Sequence, residues 1–436
     1  MLETGSDENQ VNIPGPPADG NQALIPTSPT VQFTGLRGPL FKLALKNALF
    51  TLLTLGIYRF WAKTWIRRYF WHNTRIRGEA LEYTGLPSEL LIGFLIALAI
   101  LVPTFMIYKG IVFLLSSFPE IPSFLPDAVY FLSLWALFQF AFYRMWRYRL
   151  SRTAWRGIHF GLDGSAWRFV SVAFGWTAVS IMTLGLASPW ARVALWRFRV
   201  RNTRFGNTFF NFEGSGKHLL MPWLIVWLLP LLVGIFVVIF HSDTILKVME
   251  FQNTIDDPNA LGQAVSETVG DSFNNVIIMF VVIGITQPFL RIWYGVRQAR
   301  YLIGGTQFQE ARFQATIKTS TIVWAIVLYL FCITLLIGGL MALTMGVVMG
   351  TMIGGGDAGA VFGTAFGAFF GIIFPVLLLI LMPVFAQIIL YYKIFKHVCS
   401  VIEIENAEAF DQAIQSVQPG PKHGEGFADA LDVGAM

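Results

Sequence analysis

Residues 54–85 read TLGIYRFWAKTWIRRYFWHNTRIRGEALEYTG, and residues 183–214 read TLGLASPWARVALWRFRVRNTRFGNTFFNFEG. The two stretches align without a gap and share Thr-Leu-Gly, Trp-Ala and Asn-Thr-Arg in register. Gly56 and Gly185 are expected to interrupt apolar helices, because glycine costs about 1 kcal/mol in a helix interior. A weaker third copy is recognisable at 301–315. The chain is therefore built on an internal repeat.

The composition is that of a helical membrane protein. Hydrophobic residues make up 55% of the chain and charged residues 13%, whereas soluble domains average about 25% charged residues. Several uncharged apolar runs reach the roughly 20 residues that a spanning helix needs. We therefore predict an all-α polytopic membrane protein with about six spans, arranged as three helical hairpins. The predicted spans lie near 90–112, 127–147, 218–240, 275–296, 319–350 and 358–392.

The distribution of basic residues predicts the orientation in the membrane. Most of the Lys and Arg residues lie in segments 59–77, 144–168, 192–217, 291–318 and 393–396. Short cytoplasmic loops are enriched in Lys and Arg, so we expect these segments, and both termini, in the cytoplasm. The same rule accounts for the net charge of +5, and no nucleic-acid partner is expected.

Two further apolar stretches are predicted to enter the membrane without crossing it. If 168–189 crossed, the basic segments on its two sides would face opposite compartments, against the charge rule. Residues 38–57 carry Lys42 and Lys46, and each charge at the bilayer centre would cost roughly 2.5–3.5 kcal/mol. We interpret both stretches as interfacial or re-entrant helices. For 38–57, an ordinary span with the acidic tail outside remains the alternative.

Short strands are predicted on either side of each repeated block. Residues 31–35 and 158–161 precede the non-spanning helices, and polar-apolar alternation follows Asn-Thr-Arg. Exposed strands cannot lie in hydrocarbon, so we expect a small cytoplasmic β-layer. The predicted organisation is a disordered tail, two repeats, a degenerate third repeat with a glycine-rich hairpin, and a second tail. Their limits are 1–30, 31–150, 151–299, 300–400 and 401–436.

The segment after each Thr-Leu-Gly break is a candidate surface for lipid headgroups. In the first copy Trp61, Trp65 and Tyr69 recur every four residues, with cations on the opposite face. This pattern is typical of a helix in the headgroup region of an anionic leaflet, although an aromatic belt that only anchors the helix gives the same pattern. The lipid bilayer, with anionic lipids, is the expected partner. The candidate cations are Arg59, Lys63, Arg67, Arg68, Arg75, Arg197, Arg199, Arg201 and Arg204.

Glutamines and glycines form two further patterns inside the predicted spans. Glutamines near the inner ends of the returning helices are either a polar ring around a path or hydrogen bonds between helices. Glycines that recur every four residues give flat helix faces, suited to close packing, to a homo-oligomer contact or to a movable gate. The glutamines are Gln139, Gln287 and Gln387. The glycines put forward are Gly346, Gly350, Gly363 and Gly367.

Sequence motifs for catalysis or cofactors are missing. The run Gly-Ser-Gly-Lys at 214–217 lacks the first glycine and the final Ser or Thr of a phosphate-binding loop. The two cysteines, Cys332 and Cys399, give no disulfide or metal framework. We therefore expect a protein that is not an enzyme and that holds no cofactor.

The two repeated blocks quoted above resemble the signature blocks of the YjgN-like family of bacterial inner-membrane proteins. The resemblance covers roughly 33–400, with Gln287-Pro288 where Leu-Gly would stand in the third block. It implies a location in the bacterial inner membrane, and it implies no activity and no functional residues. Two hypotheses follow. The first is a non-catalytic membrane module that organises lipids or envelope partners through a basic inner face. The second is a permeation protein for a small solute or a lipid.

Overall fold

A computed structural model describes residues 30–353 and 375–416, apart from residues 116, 117, 119–121, 123, 241 and 256. Both predicted tails lie almost wholly outside the described residues. So do Gly363, Gly367 and the first part of the predicted span at 358–392.

Short strands alternate along the chain with pairs of helices. The strands are β1 (Val31–Phe33), β2 (Thr74–Ile76), β3 (Glu79–Tyr83), β4 (Thr153–Trp155), β5 (Ile158–Leu162), β6 (Thr203–Phe205), β7 (Thr208–Phe212), β8 (Thr306–Phe308), β9 (Ala311–Ala315) and β10 (Ile402–Glu405). The helices are α1 (Arg37–Leu53), α2 (Arg59–His72), α3 (Pro87–Leu115), α4 (Phe124–Ser151), α5 (Ala166–Met182), α6 (Ser188–Asn202), α7 (Lys217–Phe240), α8 (Ser242–Thr254), α9 (Pro258–Gly304), α10 (Thr319–Ile353) and α11 (Pro375–Val401). A 3-10 helix, Ala407–Gln412, follows β10.

All the described strands belong to one antiparallel sheet in the order β1 to β10. The sheet curls until its two ends are in contact. The backbone N–H of Ile404 in β10 donates to the Thr30 hydroxyl beside β1, at 3.4 Å. Val31 and Ile404 also share one buried cluster. The prediction of a small β-layer is therefore wrong in size. Strands β4 and β10 were not predicted, because three or four residues are too few for a period-two pattern to be recognised from sequence.

Each helix pair leaves from one strand of the sheet and returns to the next. The structure therefore contains five related units, whereas the internal repeat in the sequence identified three. Four units end in a β-hairpin, and the fifth combines β10 with β1 from the other end of the chain. Since every pair starts and ends at the sheet, the basic segments on the two sides of α5–α6 lie at the same end of the helices. This geometry agrees with the parity argument made for 168–189.

Two-residue turns join the strands of the four hairpins. At Arg77-Gly78 and Arg156-Gly157 both turn residues have positive φ, the backbone that suits the twist of a tight hairpin. Asn406 follows β10 with a φ of 52°, close to the 51° of Arg77. The fifth unit thus begins the same turn, although no hairpin partner follows it directly.

The Asn-Thr part of the repeated motif ends a helix. The final carbonyls of a helix have no partner inside the helix. Four hairpins begin with a threonine whose hydroxyl donates to the carbonyl four residues earlier, at 2.8 or 2.9 Å. These residues are Thr74, Thr153, Thr203 and Thr306. The side-chain amides of Asn73 and Asn202 bond in the same way, at 2.7 and 2.6 Å.

The Thr-Leu-Gly motif forms the turn of each short helix pair. Thr54 and Thr183 donate to the carbonyl four residues earlier, at 2.7 and 2.8 Å, and accept from the backbone N–H four residues later, at 2.9 and 3.1 Å. Leu55 and Leu184 adopt positive φ, which is costly for a leucine. Their side chains are 95% and 77% exposed. Each turn therefore presents an apolar side chain at the tip of its helix pair.

The helices form a ring in which each pair contacts the next, and α11 returns to contact α1. Within the described residues, six helices are long and apolar enough to cross a membrane: α3, α4, α7, α9 over Ile277–Gly304, α10 and α11. This confirms the predicted polytopic helical protein. Helices α1 and α5 have 17 residues each, about 25 Å at 1.5 Å per residue, against a hydrocarbon core of about 30 Å. Both are consistent with helices that do not cross.

Aromatic side chains fill the inner face of the curled sheet. The cluster contains Trp155, Phe205 and Phe308 from three different hairpins. Phe410, from the 3-10 helix, packs against all three, with ring centroids 4.3–5.7 Å away. The segment after β10 therefore belongs to the sheet's core, although the sequence predicted a tail from residue 401.

Candidate lipid-headgroup site

Two of the candidate arginines, Arg68 and Arg197, belong to a set of four that hold the repeated units together. In four units an arginine near the end of the second helix donates to the backbone carbonyl 17 residues later, just beyond the hairpin. The donor and acceptor pairs are Arg68 with Gly85, Arg147 with Gly164, Arg197 with Gly214, and Arg300 with Ile317. We call these residues the clamp arginines. Their acceptors are backbone atoms, so the sequence gives no sign of the pairing.

Three more candidate cations are packed inside the protein. Arg67 is 1% exposed and donates to the Tyr83 hydroxyl at 3.2 Å. Arg204 pairs with Asp163 at 3.1 Å. The guanidinium of Arg199 lies 5.1–5.5 Å from the centroids of three aromatic rings, those of Phe142, Trp146 and Trp196. Burial and the nearby Arg192 charge lower the pKa of Arg199 to about 10.

The remaining candidates divide between exposed positions and one cavity. Arg75 and Arg201 are exposed. Arg59 lies over the rings of Phe60 and Phe94, 5.0 and 4.9 Å from their centroids. Arg59 and Lys63 also line a cavity with Arg67, so three of the nine candidates converge.

A set of exposed cations that the sequence reading did not single out stands where the helix pairs begin. Four of the five pairs start with one a few residues after the preceding strand. These residues are Arg37, Arg168, Lys217 and Lys318. We call them the entry cations. A cation at a helix N-terminus opposes the helix dipole, which typically costs about 0.3–1 kcal/mol. Their spacing after each strand was visible, but it becomes informative only when the five units are aligned.

Two of the entry cations, Arg168 and Lys318, are close in sequence to exposed tryptophans. Trp167 is 61% exposed and Trp324 is 64% exposed, and each lies close to an entry cation in sequence. Tryptophan at this position is typical of the interface between membrane and water. In the second unit Glu89 begins α3 instead. It accepts from the guanidinium of Arg152 and, at 3.0 Å, from the hydroxyl of Tyr148, which fastens the two helix ends together.

The three glutamines stand at different distances along the chain from the strands that follow them. Gln139, Gln287 and Gln387 are fourteen, nineteen and fifteen residues before the strands that follow them. Gln287 donates to the backbone carbonyl of Val226 at 3.0 Å, which is a bond between helices. Gly346 and Gly350 lie on α10. The part of the chain that would face them is outside the described residues, so the glycine seam and the polar ring stay predictions.

The cavity lined by Arg59, Lys63 and Arg67 lies between α1, α2 and α11. Its volume is about 740 Å³. Asn47 and Gln387 line it, together with Leu52, Leu55 and Leu379. Within the described residues, no group of three or more His, Cys, Asp and Glu side chains could hold a metal ion. The chemistry of the cavity is therefore that of cations, amides and hydrocarbon.

The helix pairs form a ring on one curled sheet, and among the described residues six of the helices are long enough to cross a membrane. This architecture defines a polytopic α-helical membrane protein with a β-sheet at one end of its helices. The chain belongs to the family described as "Bacterial protein of unknown function (DUF898)", whose family model matches residues 28–338. This family membership confirms the resemblance found in the sequence.

A curated relative agrees with this assignment. The chain is 28% identical over 148 residues to "Inner membrane protein YjgN" of Salmonella typhimurium (strain LT2). The match covers 32% of this chain and about a third, 34%, of the Salmonella protein. No solved structure matches the chain. The likeness to an inner-membrane protein and the six apolar helices support a multi-pass inner-membrane location.

Proposed function

We propose that the chain is a non-catalytic inner-membrane module whose sheet end faces the cytoplasm and gathers anionic lipids or envelope partners around itself. The observation that carries the proposal is the set of entry cations. Arg37, Arg168, Lys217 and Lys318 are exposed at the level where four helix pairs leave the sheet. Cations at this level attract anionic headgroups, at about 1 kcal/mol per Lys or Arg near the surface.

The helix geometry supports the same conclusion. A helix N-terminus favours negative charge, so a lipid phosphate there would relieve the unfavourable placement of the entry cations. The short pairs α1–α2 and α5–α6 add exposed leucines at their tips, Leu55 and Leu184. Together these features describe a protein whose outer rim binds the lipids of the inner leaflet.

Lipid enrichment tests the proposal. The protein is reconstituted into vesicles of phosphatidylglycerol and phosphatidylcholine, extracted with a lipid-like polymer, and the retained lipids are quantified. We expect phosphatidylglycerol to be enriched around the wild-type protein. The variant Arg168→Gln/Lys217→Gln should lose most of that enrichment.

A matched variant removes the same charge from the other end of the helices. Lys109 and Lys247 are exposed and lie far along the chain from the sheet ends of their helices. Lys109→Gln/Lys247→Gln should retain the enrichment. Equal enrichment in all three proteins, or none in the wild type, would contradict the proposal.

A second candidate function is the passage of a lipid or small solute. The observation that favours it is the cavity beside the short helix pair α1–α2. Flux of labelled lipid across vesicles distinguishes the two functions. Robust flux that a Gln139/Gln287/Gln387 triple substitution to leucine abolishes would support passage, whereas lipid enrichment without flux supports the module.

A further inference from the structure

The cavity between α1, α2 and α11 contains buried polar atoms that have no partner among the described residues. Asn47 is 3% exposed. Its amide nitrogen donates to the Ala62 carbonyl at 3.4 Å, while its Oδ1 has no partner in the described part of the chain. The same holds for Oε1 of Gln387, across the cavity. Two acceptors left without donors are costly in a protein interior, so the cavity is suited to a ligand that brings hydrogen-bond donors.

The wall that carries Gln387 is irregular in a way that reinforces this point. Helix α11 contains a π-helical turn over Ala386–Tyr391. Turns of this kind are rare and occur frequently at functional sites. Gln387 and Tyr391, at the two ends of the turn, both line the cavity. The helix is thus distorted where its polar side chain meets the empty volume.

The charge of the cavity indicates an anionic ligand. Arg59, Lys63 and Arg67 line it from α2. Lys63 and Arg67 are one helical turn apart, and Ala62, whose carbonyl accepts from Asn47, also lines the cavity. The described residues that line the cavity include no Asp or Glu. Among the described lining residues, a phosphate group would therefore meet two or three cations.

The far end of the cavity indicates a lipid rather than a soluble phosphate. Leu52, Leu55 and Leu379 line that end. Leu55, in the turn between α1 and α2, is 95% exposed, and Leu379, in the first part of α11, is 68% exposed. The polar groups of a soluble ligand would contact these leucine side chains unfavourably, whereas the acyl chains of a lipid would pack against them. A volume of about 740 Å³ falls in the usual range for ligand sites, about 300–1,000 Å³.

We propose that this cavity binds the headgroup of an anionic glycerophospholipid that carries hydroxyl groups, phosphatidylglycerol being the probe of that chemistry. Lys63 and Arg67 hold the phosphate, and Oδ1 of Asn47 and Oε1 of Gln387 accept from the headgroup hydroxyls. The acyl chains leave along Leu52 and Leu379 into the bilayer. This inference rests on the proposed function. To the anionic lipids gathered by the entry cations it adds one site, which binds a single lipid and selects it by its headgroup hydroxyls.

The test compares two lipids of equal charge. Native mass spectrometry of the full-length, delipidated protein measures the binding of phosphatidylglycerol and of phosphatidylmethanol, which has the same phosphate but no hydroxyl. Two hydrogen bonds distinguish them, so we expect one phosphatidylglycerol molecule to bind about tenfold more tightly. Phosphatidylcholine, without net charge or donors, should bind more weakly than either. Soluble glycerol 1-phosphate should not compete.

Variants locate the effect in the cavity. Asn47→Leu/Gln387→Leu removes both acceptors, so the ratio of the two anionic lipids should fall to about 1 while charge-dependent binding persists. Lys63→Met should instead reduce the binding of both anionic lipids to that of phosphatidylcholine. The control Gln139→Leu/Gln287→Leu makes the same kind of change in other helix pairs and should keep the wild-type ratio.

The wild-type comparison decides the inference even if a variant fails to fold. Equal binding of phosphatidylglycerol and phosphatidylmethanol overturns it, as does effective competition by glycerol 1-phosphate or loss of the ratio in the control. If anionic lipids are still enriched in vesicles, only the selective site is lost and the proposed function stands. If they are not enriched, the proposed function fails as well.

Discussion

The ring of Phe410 stacks on the ring of Phe308, with centroids 4.3 Å apart and planes 8° from parallel. Phe308 is fully buried in β8, and Phe410 belongs to the 3-10 helix that follows the last strand. The contact therefore links the C-terminal segment to the middle of the sheet. It shows that residues 402–413 complete the core.

Phe410→Ala should destabilise the sheet strongly. Truncation of a buried phenylalanine typically costs about 3–5 kcal/mol, and here five other rings would lose a neighbour. Thermal unfolding in detergent, followed by the near-ultraviolet circular dichroism of the aromatic cluster, measures the loss. Phe209→Ala, on β7 and 48% exposed, is the matched control and should be close to wild type.

Acidification should loosen the same C-terminal segment. Hydrogen bonds from Arg77 and Arg156 lower the pKa of Asp411 below its ordinary value of 3.8. A lowered folded-state pKa stabilises the folded form above the ordinary value, and this contribution is lost as the pH falls through the lowered pKa. Amide protection factors over 402–412 should therefore drop between about pH 5 and pH 2. In Asp411→Asn they should already be low near neutral pH and should lose this titration.

The tips of the short helix pairs should lie within the bilayer. Leu184 is exposed at the turn between the apolar helix α5 and helix α6, and burial of such a side chain in hydrocarbon is favourable by roughly 1.5–3 kcal/mol. A fluorophore attached at Leu184→Cys should be quenched by lipids brominated on their acyl chains. A fluorophore at Glu82→Cys, exposed on β3, should not be quenched. Quenching at both positions or at neither would contradict the placement.

Loss of a clamp arginine should destabilise the fold far more than loss of an exposed arginine. Arg147 donates to the carbonyl of Leu162 at 2.9 Å and also to the carbonyl of Gly164. Hydrogen bonds from a charged group contribute about 1.5–3 kcal/mol each, so Arg147→Met should lower the melting temperature clearly. Arg201→Met removes an exposed arginine and serves as the control. Similar melting temperatures for the two variants would mean that Arg147 does not hold its unit together.

Much of the architecture was predictable from sequence. Helix length and apolar composition gave the six spans, and the Thr-Leu-Gly breaks coincide with turns that require positive φ at Gly56 and Gly185. The strand-like pieces at 31–35 and 158–161 are β1 and β5. These features depend on local chemistry, which a single sequence displays.

The five-unit organisation was not predictable because two units lack the repeated signature. The second unit has Arg-Thr-Ala at 152–154, and the fifth unit has Ile-Glu-Ile-Glu at 402–405. Neither run aligns readily with the motif of the other units. Only the strand pairing shows that they are equivalent. The roles of the arginines were hidden for a related reason. A run of cations predicts a headgroup surface, but the partners of Arg68 and Arg197 are backbone carbonyls far along the chain.

The fifth unit, made from the two ends of the described chain, has a consequence for biosynthesis. Until β10 emerges from the ribosome, β1 and β9 are both unpaired edges, and exposed edges are sites of aggregation. The four earlier helix pairs can enter the bilayer one after another, but the circle is sealed only by the last strand. The nascent protein therefore remains an open arc through most of its translation, and a chaperone or a partner subunit would find its pairing edges accessible only during that interval.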